Sequence, residues 1–154
     1  MPHTDEDEVD DLLEGFIVEA DLAGRWLERN YMPPRLMFWR QNLDFSRASL
    51  AKLAPIVAQV LAEGSPDALE EVSRRAAQYL GETIQAHARS FWQRTDGRFE
   101  LRIERATGVV DVLPIAEPIA RLLLAVRNGD PKAAELLGQV FDDAVRDGNP
   151  PVGR

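Results

Sequence analysis

The sequence predicts an α+β fold: a small antiparallel sheet packed against helices, with an N-terminal helical arm. Three observations predict it. Helical periodicity runs between clear start and stop signals from Ser46 to Arg89, then gives way to alternation after Ser90. Asp96-Gly97 separates two alternating runs and supplies the residue types that a two-residue hairpin turn requires. Helical signals return after Pro114 and are punctuated by Asn128-Gly129-Asp130-Pro131.

A chain of 154 residues with 45% hydrophobic content fits one domain and can bury a core without metal or disulfide support. There is no cysteine, which excludes a disulfide framework, a thiolate metal site and a cysteine nucleophile. No apolar run approaches the ~20 residues that span a bilayer. The first eight residues are acidic where a secretory signal is basic and then apolar, so the expected location is cytoplasmic.

The net charge of -8 is uneven. Residues 1–21 hold nine acids and no Lys or Arg, whereas residues 22–40 hold four Arg against one Glu. An acidic surface repels phosphate backbones, so no nucleic-acid partner is expected, nor a membrane.

Residues 1–8 read as an acidic disordered tail, 9–41 as a helical arm, 42–147 as the α+β domain and 148–154 as a C-terminal tail. In the arm, Leu12, Leu13, Phe16, Ile17, Ala20, Ala23, Trp26 and Leu27 follow a helical period. Gly15 and Gly24 weaken it, and a break near Gly24 competes with one straight helix. Pro33-Pro34 ends it.

Leu43-Asp44-Phe45 reads as a brief strand and candidate fourth strand of the sheet, with Ser46 capping the helix that follows. Pro55 predicts a kink or split in that helix, and Gly64 a left-handed stop. Ser65-Pro66-Asp67 then restarts the chain.

The next helix, about Pro66 to Arg89, is the expected spine. Leu69, Val72, Ala76, Leu80 and Ile84 form its apolar face, beside a stripe of small residues that includes Ser73, Ala77 and Gly81. Arg75, Gln78, Glu82, Gln85 and Arg89 form its polar face. The small stripe is expected to meet the alanine flank of the preceding helix, Ala51, Ala54, Ala58 and Ala62, in a close hairpin.

In the sheet, the Asp96-Gly97 turn pairs Trp92 with Leu101 and Arg94 with Phe99. A second turn near Thr107-Gly108 makes a three-stranded meander. A two-residue loop there puts Val110 and Val112 on the apolar face, with Asp111 opposite Glu104; a three-residue loop puts Val109, Asp111 and Leu113 there instead. The first is preferred. Pro114 to Pro118 reads as a connector, and the two helices after it bury Ile119, Leu122 and Leu123, then Leu136, Leu137, Val140 and Phe141.

Residues able to carry chemistry are sparse. The two histidines are His3, in the tail, and His87, which reads as a satisfied core or rim residue. No serine sits in a Gly-x-Ser-x-Gly elbow, and no glycine-rich phosphate loop is present. No catalytic residue, metal ligand or cofactor site is assigned. Glu82 is the one acid singled out: either a solvated carboxylate, or the functional group of a pocket with Tyr79 and Trp92 between sheet and helix. Trp26, Tyr31, Phe38 and Trp39, interleaved with arginines, read either as an arm folded on the core or as a partner-binding surface.

Two segments resemble a family of small bacterial α+β domains of unknown function. One is Leu43-Asp44-Phe45-Ser46 with Ser49-Leu50; the other is Tyr79-Leu80-Gly81-Glu82-Thr83-Ile84, followed by Trp92. The resemblance covers residues 42–145, implies an α+β fold and brings no activity.

The function expected from these residues is non-enzymatic: an accessory or immunity-type protein that binds another protein, or itself as a homodimer through residues 22–40. The alternative is a small enzyme or ligand-binding domain using the pocket near Glu82.

Overall fold

The computed structural model describes residues 5–32 and 43–151, with side chains from residue 11 onward. Helix α1 spans Asp5–Asp21 and α2 Ala23–Tyr31. A 3-10 helix, Arg47–Lys52, leads into α3, Leu53–Glu63, and α4 covers Pro66–Gln85. Strands β1 (Ser90–Thr95), β2 (Arg98–Glu104) and β3 (Val110–Pro114) form an antiparallel sheet in sequence order. Helices α5, Ala116–Arg127, and α6, Ala133–Val145, complete the chain. The α+β class and the helical arm are as the sequence predicts.

Helix α4 is the spine. It packs on each of the other five α-helices and on β1. From Ala76 to Ile84 every residue is buried, the signature of a helix covered on all sides. That corrects the expected polar face: Gln78 and Glu82 are 0% and 1% exposed, because α1 and Trp92 cover them.

The junctions follow their local chemistry. Ser46 and Ser65 accept from the amides of Ser49 and Ala68, and Gly64 closes α3 in the left-handed region. The split that Pro55 predicts falls just before it. The chain is 3-10 up to Lys52, and Pro55 then occupies the first turn of α3, where its missing amide costs little.

Several expectations are corrected. Helix α1 begins at Asp5, inside the stretch read as a disordered tail; the break expected near Gly24 is present, at Leu22. Leu43–Phe45 is not a strand. Its amides are held by side chains, Leu43 N by Glu28 Oε1 at 2.7 Å and Phe45 N by the Tyr79 hydroxyl at 2.9 Å, and Phe45 has φ 62°. The alanine flank faces solvent at Ala51 of the 3-10 helix and at Ala58 and Ala62 of α3. The small stripe of α4 instead admits Trp92 at Gly81. Helix α4 stops at Gln85, and Pro118 lies inside α5.

The first hairpin has the predicted register, Trp92 opposite Leu101 and Arg94 opposite Phe99, with Asp96 and Gly97 both at positive φ. The second turn takes the three-residue form, so Asp111 faces Ile103, and Val110 and Val112 stand on the outer face, 51% and 46% exposed. Tertiary contacts select it. Arg105 ion-pairs with Asp111 and donates to the α6 carbonyls of Asp143 and Ala144, while Ala106 N bonds Asp147 O at 2.7 Å. Gly108, at φ 86°, supplies the left-handed residue that closes a three-residue loop.

Candidate functional site

Phe16 of α1 joins the helical and sheet halves. Its ring stacks on Phe99 at 3.9 Å and meets Trp92 edge-on at 5.0 Å. Trp92 in turn lies over Gly81, and its indole Nε1 donates to Glu82 Oε1 at 3.1 Å. Gly81 therefore admits a tryptophan, and Glu82 gives that tryptophan an acceptor out of water. One turn earlier, Gln78 donates to Glu19 Oε1 at 2.9 Å, and Arg74 donates to the same oxygen at 2.6 Å. Burial raises the Glu19 pKa, but the Gln78 and Arg74 hydrogen bonds and the charges of Arg75 and Arg74 bring it below its ordinary value. Gln78 Oε1 is buried without a hydrogen-bond partner among the described residues.

Of the predicted pocket, Glu82 and Trp92 come together and Tyr79 does not. Glu82 and Trp92 line an open hollow of about 460 Å³ with Ile17, Asp21, Gln85 and Phe91. Tyr79 points to the other side of α4, where its hydroxyl lies 2.6 Å from Ser49 Oγ and accepts from Phe45 N. Burial pushes the Tyr79 hydroxyl above its ordinary pKa. His87 Nε2 lies 2.9 Å from the Phe45 carbonyl, so the left-handed Phe45 is held at both ends of its backbone. That places His87 at the rim of the core, its ring edge against Phe141.

In the arm, Trp26 and Tyr31 are half-buried against the core, with rings 5.9 Å apart and the Arg75 guanidinium 5.1 Å from the Trp26 ring. Phe38 and Trp39 lie outside the described residues.

A mostly apolar hollow was not singled out by sequence reasoning. It is a groove of about 470 Å³ floored by Phe16, Ala77, Phe99, Ile115 and Ile119 and walled by Pro114 and Leu123. Arg74 and Arg98 stand at its mouth. Arg74 is neutralised by Glu19 and Glu71, whereas Arg98 has no ion pair among the described residues. These positions were read as core, turn and connector. The available signal was the Ser73/Ala77 stripe, whose small side chains leave the groove open.

Among the described residues no group of His, Asp and Glu is arranged to hold a metal ion, and no helix is long and apolar enough to cross a membrane. The chain matches no protein-family model, no curated protein and no solved structure.

Proposed function

We propose that this chain is a non-enzymatic binding module that docks an apolar, acid-flanked helix of a partner protein in the groove between α1, α4, α5 and the β1–β2 turn. The observation that carries the reading is the groove itself: an apolar floor with one unneutralised arginine, Arg98, at the mouth. Helix-in-groove recognition needs an apolar trough for side chains at i, i+3 or i+4 and i+7, with charge at the rim for orientation. Small-ligand sites usually add convergent polar groups on the floor, and here the polar residues stand at the edge.

The test is a pair of amphipathic helical peptides with the same leucine face, one flanked by Glu and the other by Lys. Binding is followed by amide chemical shifts. The Glu-flanked peptide is expected to perturb Phe99, Ala120 and Leu123, and to weaken about tenfold on Arg98→Glu and more on Leu123→Asp. Equal binding of both peptides, or shifts elsewhere on the surface, would sink the proposal.

A second reading is favoured by the position of Glu82, a carboxylate lining the hollow beside Trp92. It is a ligand-binding or enzymatic site there. A ligand that perturbs the Trp92 indole resonance in the parent and not in Glu82→Gln would support it. Loss of that perturbation with the groove peptide still bound would separate the two readings.

A further inference from the structure

Strand β3 is an open edge with a self-complementary pattern. Arg105 N bonds Val109 O and Ile115 N bonds Phe99 O, so residues 109, 111, 113 and 115 turn their backbone groups towards β2. By the same alternation Val110 and Val112 turn theirs outward, and Pro114 turns its carbonyl outward. The main packing partner of β3 is β2. Val109, Val110 and Val112 are 52%, 51% and 46% exposed, so among the described residues no helix covers the outer face of this strand. The strand carries no lysine, and its one charge, Asp111, is paired with Arg105. Such edges are normally blunted by charge, proline or a bulge, and here the one such device on the outward register is Pro114, at the last position of the strand.

We infer that β3 pairs antiparallel with β3 of a second copy of this chain, about a two-fold axis at Val112. In that register the Val112 N–H and C=O bond to those of its counterpart, and each Val110 N–H donates to the opposite Pro114 carbonyl. Proline's missing amide therefore leaves every outward N–H of the edge satisfied. Val112 lies beside Val112 and Val110 beside Pro114, an apolar strip on an outer face that carries Glu100, Arg102 and Glu104 on β2. Centring on Asp111 instead would set two carboxylates face to face, which disfavours it.

Charge distribution favours this edge for self-pairing. The nine acids of residues 1–21 all lie in α1, and α1 packs on β1, the far strand. Joining through β3 keeps the two acidic helices on opposite flanks of a six-stranded sheet, and the two-fold closes the assembly at two copies. The contact is small against the area of stable dimers, so association depends on concentration. The surface is distinct from the groove, and the inference does not depend on the groove's partner.

The experiment is sedimentation equilibrium of the full chain between about 10 μM and about 1 mM. The mass is expected to rise from 17.2 kDa towards twice that value. Val112→Lys and Val112→Pro should each move the midpoint up by at least about tenfold while far-ultraviolet dichroism is unchanged. The chain has no other cysteine, so Val112→Cys gives a single thiol. Oxidation should join it to its counterpart, because hydrogen-bonded partners sit at a Cα separation of about 5.5 Å, within disulfide reach. Val110→Cys should stay unlinked, since it faces Pro114. A constant 17.2 kDa mass, association indifferent to Val112→Lys, or equal cross-linking at 110 and 112 each overturns the proposal.

Discussion

Trp92 fills the space in which a side chain on Gly81 would begin. A Cβ at position 81 would fall 2.1 Å from Trp92 Cη2 and 2.3 Å from Cζ2. The glycine sits in the fully buried second half of α4, where it costs about 1 kcal/mol relative to alanine. The close approach explains it: the sheet is drawn onto α4 by one indole, which then reaches the carboxylate at the next position.

Gly81→Ala should therefore destabilise the fold despite its better helix propensity. The overpacking penalty is about 1–3 kcal/mol, because the whole indole and strand β1 must shift. Urea titration followed by tryptophan fluorescence measures it. A stabilised variant would show that Trp92 can move aside freely.

Glu82→Ala should cost about 1–3 kcal/mol, since it leaves the Trp92 Nε1–H buried without an acceptor. Glu82→Gln keeps an acceptor of the same size and should cost less than about 1 kcal/mol. The difference between the two variants, read from midpoints of unfolding, separates the hydrogen bond and packing together from the charge. Equal losses would place the energy in the charge.

Tyr79→Phe should cost about 1–2 kcal/mol by removing the hydroxyl shared by Ser49 and Phe45. Burial raises the Tyr79 pKa, so the folded state holds this proton more tightly than the unfolded one. The stability it contributes is complete below the ordinary tyrosine value of 10.0 and is lost as pH rises through the raised one. Alkaline unfolding of the parent should therefore steepen above pH 10.0, and Tyr79→Phe should flatten that limb.

Glu19 works in the opposite direction. Its lowered pKa means that its contribution is present above the ordinary value of 4.5 and is lost as pH falls through the depressed one. Glu19→Gln should reduce the loss of stability between about pH 5 and pH 3 relative to the parent. Unchanged acid sensitivity would show that the α1–α4 contact does not rest on this carboxylate.

Arg105→Ala should cost about 2 kcal/mol, because one half-buried guanidinium joins Asp111 of β3 to carbonyls at the end of α6. Amide exchange should quicken in β3 and in the last turn of α6 together. Quickening in only one of them would mean that the arginine does not couple the two segments.

Much of this fold is legible in the residues. Asp96-Gly97 alone sets the first hairpin, since a two-residue turn fixes the register and alternation then fixes which face is buried. Gly64, Ser65 and Pro66 likewise set a helix end and a helix start through local bonds. The second hairpin could not be read in this way. Its preferred register put Val110 and Val112 inside on hydrophobicity, whereas Arg105 and the end of α6 hold the loop open by one residue. Those partners lie about forty residues away along the chain.

The candidate sites divide along the same line. Glu82 and Trp92 were both singled out, because a buried helix with a mid-helix glycine must meet something close. The groove beside them was missed, since Phe16, Ala77, Phe99 and Ile119 come from four separate elements and have no common motif. By itself the sequence determined the class, the junction at Gly64-Ser65-Pro66, the first hairpin and the central place of Tyr79-Leu80-Gly81-Glu82. Only the tertiary structure decided that Glu82 is covered, that Tyr79 faces away from it, and that β3 presents its valines to solvent. Turns and caps are settled by contacts within a few residues, whereas burial of a polar stripe and the register of a three-residue loop depend on distant elements.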